Sequence, residues 1–272
     1  MHCCATTASR PEPKLRPSAP SPARPLPLIL WLAAAAAAAQ PPTPPASLLS
    51  AEDRRAIESA LGAGLIGAAL PPGHIADPAE FLPHRAAAGS FRILRGEGAG
   101  NLETHRSLAL GPAAWDYQLT QDETGLLRML KDHSLVMAGI EDRHSNALTR
   151  YEPAEPFLPA GLQAGGETRL DMGVQVLDRT RPDAVRHRGS LRVSLRHLGD
   201  YRIQVPAGRF DTILLKARFE GDIGPAAVSD TQYRFLARGL GLVAMAERRD
   251  VSAFVVYRDR VEVAKVLAGL ER

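Results

Sequence analysis

Three adjacent residues, Asp132, His133 and Ser134, have the side-chain types of a hydrolase triad: an orienting carboxylate, a base and a nucleophile. Neighbouring residues on an extended chain point to opposite faces, so these three cannot line up for proton transfer. The chain also lacks the G-x-S-x-G elbow that positions the serine of many hydrolases. The segment is therefore predicted to be a turn between two strands.

A metal site would need several ligands close together, and His133, Glu141, Asp142 and His144 are the nearest candidates. The H-E-x-x-H pattern is absent, and these residues lack the spacing of common zinc sites. Other histidines lie among the arginines of residues 186–202, which would repel a bound cation. We expect these side chains to be solvated, and we expect no metal or cofactor.

A glycine-rich stretch, Gly96–Gly100 (GEGAG), superficially resembles a phosphate-binding loop. A nucleotide fingerprint requires such glycines to follow a strand and to open a helix. Here the chain continues as a strand-like segment through Asn101–Leu110. A hairpin turn is therefore the favoured interpretation.

Arginines are concentrated at Arg186, Arg188, Arg192, Arg196 and Arg202. The last three fall on the polar face of the predicted strands. They are candidates for a patch that binds anions or lipid headgroups. The alternative is ordinary surface charge that prevents strand-to-strand aggregation.

Two aromatic residues, Trp115 and Tyr117, lie two positions apart and therefore on one face of a strand. They belong either to the core or to the mouth of a cavity, and the sequence does not separate these interpretations. They complete the set of candidate binding residues, and no catalytic residue is identified.

The composition indicates a globular protein. The chain has 272 residues, of which 45% are hydrophobic and 23% are charged, and this is enough for one domain or at most two. The net charge of +3 lies entirely in residues 1–40, so the remainder is balanced. That balance argues against a nucleic-acid partner, because phosphate contacts require a basic surface.

Both cysteines, Cys3 and Cys4, precede the folded region, which excludes a disulfide or cysteine-ligated metal there.

The N-terminal segment has the layout of a secretory signal peptide. A basic, proline-rich stretch precedes the apolar run Leu28–Ala39, which ends in small residues. The run has about 12 residues, short of the ~20 needed to span a bilayer, so a permanent transmembrane anchor is not expected. Cleavage is predicted near Ala39, leaving a periplasmic or secreted protein. An organellar transit peptide is the alternative, because the leader is rich in arginine and poor in acids.

One helix and many strands are predicted after this leader. Ser50 is a helix N-cap, Glu52 and Asp53 follow in the first turn, and the helix is expected to end near Leu70. Beyond about residue 81, apolar and polar residues alternate, which is typical of antiparallel strands packed on one side. About ten or more such strands must curl, which predicts a mainly β protein with a large curved sheet, as a half-barrel or open barrel.

A segment rich in proline, Tyr151–Gly166, interrupts this pattern and is expected to connect the two halves of the sheet, because proline is excluded from central strands. The predicted organisation is a signal peptide at 1–40, a linker at 41–49, a helix and connection at 50–80, and an antiparallel β domain at 81–272.

The stretch 201–243 contains motifs that are similar to those of a known protein family. It contains V-P-A-G-x-F, then Y-x-F and a G-x-G-L-V turn, and it resembles a family of exported bacterial β-rich proteins of unknown function. Their curved sheet is similar to the half-barrel of the lipoprotein-localisation factors LolA and LolB. The resemblance covers roughly residues 81–265, and its motifs shape turns, so it supplies no catalytic residue. The lipoprotein members' lipidated cysteine has no counterpart here.

Three functions follow from these observations as hypotheses. The first is a non-enzymatic periplasmic carrier that binds a lipid or other apolar ligand on the concave face of the sheet, with the N-terminal helix as its only plug. The second is a structural or assembly protein of the cell envelope that acts through protein contacts. The third is a hydrolase whose nucleophile and base come from distant strands.

Overall fold

The structure is a closed β-barrel preceded by a short helix. The computed structural model describes residues 47–83, 87–253 and 257–271. The predicted signal peptide and most of the predicted linker lie outside these residues. No helix among the described residues has the length and apolar character needed to cross a membrane.

The described elements follow one another along the chain as one α-helix, a short strand, a 3-10 turn at Pro78–Phe81 and twelve longer strands. Their bounds are α1 Ala51–Leu61, β1 Ile66–Ala69, β2 Ala87–Arg95, β3 Leu102–Gly111, β4 Ala114–Gln118, β5 Glu123–Met129, β6 Leu135–Asp142, β7 Ala147–Leu158, β8 Glu167–Asp178, β9 Arg181–Val205, β10 Gly208–Ile223, β11 Ala226–Ala237, β12 Gly241–Ala253 and β13 Tyr257–Glu271.

Strands β2 to β13 form the barrel in simple up-and-down order, each paired antiparallel with the next. The sheet closes because β13 pairs with β2, with Leu267 opposite Phe91. The predicted half-barrel or open barrel is therefore wrong, although the mainly β, antiparallel character is confirmed. Closure leaves none of these strands with a fully free edge, which an open sheet of this length would expose.

The helix α1 begins where the sequence predicts. The Ser50 side chain accepts a hydrogen bond from the backbone N–H of Asp53 at 3.0 Å, as an N-cap does. The helix ends at Leu61, earlier than expected, because Gly62 adopts a φ of 101° that a helix cannot continue. The residues after it form β1, which pairs with the end of β9 that extends beyond its pairing with β8.

The prediction that Tyr151–Gly166 is wholly a connection is also wrong. Strand β7 continues through two prolines to Leu158. Proline is tolerated here because the pairing of β7 with β8 stops at Glu152, so the later residues pair with β6 alone. The remaining residues, 159–166, do form the connection to β8.

Contacts between strands that are not neighbours identify the inner face of the barrel. Arg234 on β11 bonds to Glu155 on β7 at 3.0 Å, which is possible only if both side chains point into the barrel. Tyr117 on β4 likewise reaches the backbone of Leu242 on β12. The adjacent residue Tyr233 must then face outwards, because side chains alternate along a strand.

Candidate functional site

The candidate ligand site is a groove of about 330 Å³ between α1 and the outer wall of the barrel. We call it the helix groove. It lies over the outward faces of β10 to β13 and beside the end of β2. Its lining comprises Glu52, Ala56, Ser59, Ala60, Arg95, Lys216, Arg218, Thr231, Tyr233, Ala246, Glu247, Arg248, Glu262 and Val263.

One polar cluster fixes the helix to the wall at this groove. Asp53 accepts a hydrogen bond from Lys216 Nζ at 2.5 Å and another from the Tyr233 hydroxyl at 2.7 Å. Burial raises the pKa of Asp53, but the hydrogen bonds from Lys216, Tyr233 and Ser50 outweigh it and leave that pKa below its ordinary value. The carboxylate therefore stays ionised at neutral pH and holds both wall residues in place.

The floor of the groove is apolar and its residues are small. Ala56 and Ala60 of the helix face Ala246 of the wall across the open space, whereas Val263 pairs with Glu247 and so turns its side chain into the barrel. Because these side chains are short, the helix and the sheet do not fill the space between them. Such a floor can accept an apolar group of a ligand.

Cations surround this floor. Besides Lys216, the groove is lined by Arg95, Arg218 and Arg248, and the last two pair at the surface with Glu220 at 3.1 Å and Asp250 at 3.4 Å. Arg95 bonds to Glu262 at 3.0 Å and to the Ser59 carbonyl oxygen, which ties β2 to the end of the helix. Partly exposed guanidinium groups beside an apolar floor suit a molecule with one apolar and one anionic part.

The interior of the barrel is filled and charged, unlike the expected apolar concave face. Arg234 lies over the Phe157 ring at 5.1 Å and bonds to both Glu155 and Gln232. Lys265 on β13 donates to the Leu119 carbonyl oxygen across the barrel. Burial lowers the pKa of Lys265 to about 8.

Two acidic side chains in the barrel interior, Asp230 and Glu247, are largely shielded from solvent. Burial raises the pKa of Asp230 to about 6, and burial together with the Asp230 carboxylate raises the pKa of Glu247 to about 7. Among the described side chains, Asp230 Oδ1 and Arg234 Nη1 are buried without a hydrogen-bond partner. A partly open pocket of about 50 Å³ lies beside Tyr117 and is much smaller than the pockets of about 300 to 1,000 Å³ that usually bind ligands.

The structure separates the five binding residues predicted from sequence. Trp115 and Tyr117 are 9% and 7% exposed and lie in the core. Arg192, Arg196 and Arg202 lie on a single strand, β9, where two neighbouring strands had been expected, and an irregularity in the pairing of β9 with β10 separates Arg202 from the other two.

Two of these arginines are neutralised by neighbouring carboxylates. Arg192 pairs with Asp171 at 3.3 Å, and Arg202 pairs with Asp211 through two bonds of 2.7 and 3.0 Å. Arg196 is exposed and lies opposite Lys216 in the pairing of β9 with β10. The five residues therefore form no common site.

Sequence reasoning missed the helix groove because it misassigned the faces of β11. The alternating pattern predicts that Tyr233 and Phe235 face the core and that Arg234 faces solvent, but Arg234 points into the barrel. The sequence does carry a signal for this assignment. Polar side chains repeat at alternate positions in the run Asp230, Gln232 and Arg234, next to a second set that is apolar. The apolar set packs under α1 instead.

The described ranges contain no group of three or more His, Cys, Asp or Glu side chains arranged to hold a metal ion. No protein-family model and no curated protein matches the chain. Among solved structures, the chain is similar to a candidate lipoprotein from Parabacteroides distasonis ATCC 8503, with a TM-score of 0.34 and 12% identity, over 70% of this chain and 98% of that chain. A TM-score this low does not establish a common fold, so function must be argued from the side chains of the chain itself.

Proposed function

We propose that the protein is a non-enzymatic binding or carrier protein of the cell envelope, whose ligand is a lipid-like molecule with an apolar chain and an anionic head. The observation that carries this proposal is the helix groove, with its floor of small apolar side chains and its surrounding cations. The ligand site that we propose lies outside the barrel, between α1 and the wall.

The size of the groove supports a small ligand. Its volume of about 330 Å³ is at the lower end of the range of about 300 to 1,000 Å³ that is typical of ligand pockets. A single acyl chain or a comparable apolar group fits that volume. The anionic head would then lie beside Arg218 and Arg248, which are both exposed, and would compete there with their surface partners Glu220 and Asp250.

The barrel interior is a poorer candidate for an apolar ligand. An acyl chain placed there would have to displace the Arg234–Glu155 pair and leave both charges without a partner, which is strongly unfavourable. We therefore propose that the interior holds the fold together and that the groove binds the ligand.

The cellular location is part of the same proposal. The basic leader, the short apolar run and the small residues around Ala39 support export with cleavage. A carrier in the periplasm, or one that is secreted, would meet lipid-like molecules at a membrane.

The test is to fill the groove. Ala56→Trp places a large side chain on its floor, and Arg55→Trp on the same exposed helix is the matched control, because Arg55 does not line the groove. Binding is followed by the fluorescence of a conjugated fatty acid added to the purified protein. We expect Ala56→Trp to weaken binding at least about tenfold, the loss expected when one apolar contact surface is removed.

The control variant should bind as the parent does. Absence of fatty-acid binding by the parent protein, or an equal loss in both variants, would contradict the proposal. Native mass spectrometry of protein purified from the cell envelope provides an independent readout, because a bound lipid adds its own mass.

The filled interior favours a second candidate, an envelope assembly protein that acts through protein contacts. In that case cross-linking in intact cells should join the barrel to one protein partner, and Ala56→Trp should leave the cross-link unchanged.

A further inference from the structure

A second surface of the barrel combines exposed leucines with cations. On the outer wall formed by β3, β4 and β5, Leu108, Leu110 and Leu130 are 49%, 59% and 47% exposed. Large apolar side chains grouped in this way on a protein surface mark a contact site more often than isolated ones do. We call these three residues, with the cations described next, the leucine patch.

The register of the strands places the patch on one face and at one end of the barrel. Trp115 points inwards and lies opposite Ala109, so the neighbouring Leu108 points outwards, and Leu110 is exposed where the pairing becomes irregular after Ala109. Arg128 lies opposite Ala114, beside the end of β3. Leu130 follows two residues later and begins the turn between β5 and β6, where it is held by hydrogen bonds to residues 133 and 134.

Three exposed cations, Arg106, Arg128 and Lys131, complete the patch. Among the residues that the structure describes, none of the three has a carboxylate within ion-pair distance. The arginines of β9 behave differently, since Arg192 and Arg202 are both paired with aspartates. The positive charge of the patch therefore remains available to a partner.

Two acids lie near these groups. Asp116 is opposite Leu108 on β4 and is half-buried, and burial together with the charge of Glu141 raises its pKa. Asp132 lies in the adjacent turn, where its side chain accepts a hydrogen bond from the backbone of Ser134. Both acids reduce the positive charge of the patch but neutralise none of the three cations by direct contact.

We propose that the leucine patch docks the protein onto a membrane surface that contains anionic lipids. The leucines would enter the boundary between headgroups and acyl chains, while the cations contact the phosphates. A second copy of the chain fits this surface less well, because a twofold contact would bring Arg106 and Arg128 against the same cations of the other copy. The inference does not depend on the helix groove, which lies on another part of the wall.

The test measures binding to vesicles of phosphatidylcholine, with and without phosphatidylglycerol, by co-sedimentation. The full chain is used for the parent and for all variants, so any contribution of residues 1–46 is common to all of them. Replacing Leu108 and Leu110 by serine should lower the partition coefficient at least about tenfold. Leu102→Ser is the matched control: Leu102 is on the same face of β3 and is 59% exposed, but it lies at the opposite end of the barrel.

The charges are tested separately. Arg106→Gln with Arg128→Gln should lower binding to the anionic vesicles about fivefold for each charge removed and should leave binding to neutral vesicles unchanged. Arg188→Gln with Arg196→Gln removes the same charge from β9 and should have little effect. The expected pattern separates a docking surface from a general effect of net charge.

Several results would overturn the inference. The first is that the parent and the variant with serine at positions 108 and 110 bind the vesicles equally well. The second is that Leu102→Ser lowers vesicle binding as much as that variant does. The third is that the parent has the same affinity for neutral and anionic vesicles. A concentration-dependent dimer in analytical ultracentrifugation that the leucine substitutions abolish would assign the patch to self-association instead. Ala56→Trp should leave vesicle binding unchanged, so this inference and the proposed function can fail independently.

Discussion

The charged pair inside the barrel, Arg234 and Glu155, gives the sharpest test of how the fold is stabilised. Their side chains are 7% and 4% exposed and are 3.0 Å apart. Replacing Arg234 by Met keeps an unbranched side chain of similar length against the Phe157 ring but removes the charge. Glu155 would then be buried without a cation.

The expected loss of stability is large. Breaking one partner of a buried ion pair costs about 3 to 5 kcal/mol, because the remaining charge stays desolvated. With a urea dependence of about 2 kcal/mol per molar, the unfolding midpoint should fall by about 2 M. This is a substantial fraction of the about 5 to 15 kcal/mol that stabilises a typical domain.

The rescue variant is Arg234→Met combined with Glu155→Leu. Removing both charges eliminates the uncompensated carboxylate, so most of the stability should return. A deficit of about 1 to 2 kcal/mol should remain, because the Gln232 amide loses its hydrogen bonds to the guanidinium.

The pH dependence supplies an internal check. Burial raises the pKa of Glu155 while Arg234 opposes that rise, so the single substitution should raise it further. A carboxyl group with a raised pKa in the folded state favours folding at low pH and loses that contribution as the pH rises through this pKa. The deficit of Arg234→Met relative to the parent should therefore be smaller at about pH 5 than at about pH 8.

The measurement is urea unfolding of all three proteins, followed by circular dichroism at both pH values. A loss below about 1 kcal/mol for the single variant, with no dependence on pH, would refute the reasoning. Such a result would mean that water reaches Glu155 and that the barrel interior is more open than the structure indicates.

Two further predictions concern stability. Because burial and Asp230 raise the pKa of Glu247 from the ordinary 4.5 to about 7, its ionisation should destabilise the fold as the pH rises through this window, and Glu247→Gln should flatten the dependence of the urea midpoint on pH. Gly139→Ala would place a methyl carbon 2.2 Å from the Thr149 carbonyl oxygen and should cost about 1 to 3 kcal/mol in urea unfolding. In Gly111→Ala the new methyl group meets no atom within 4 Å, so an equal loss there would contradict the steric explanation.

The strands were predictable because alternation is a local property of the chain. Leu191, Val193 and Leu195 of β9 face Phe219 and Ala217 of β10, as their period of two indicates. Closure of the sheet was not predictable in this way. It depends on the pairing of β13 with β2, whose residues are distant in sequence, and no local pattern specifies that partner.

The sites were harder to predict than the strands, for a physical reason. A strand covered on both sides by protein carries two buried faces, and the sequence does not state which face is inside. Tyr233 is buried under α1 while Arg234 is buried in the barrel, so a rule that sends charges to solvent fails at Arg234. Ser50 was predicted correctly because an N-cap depends only on its nearest neighbours.

The seam between the first and last barrel strands has a consequence for the order of synthesis. Ala88 and Gly89 of β2 pair on one side with residues 270 and 271, which are synthesised only after all the other barrel strands. In a nascent chain, β2 to β12 therefore cannot close into a barrel until β13 has been synthesised. A chain whose barrel cannot close until β13 has been synthesised stays compatible with passage through a narrow pore until then, and deleting β13 should leave the barrel open.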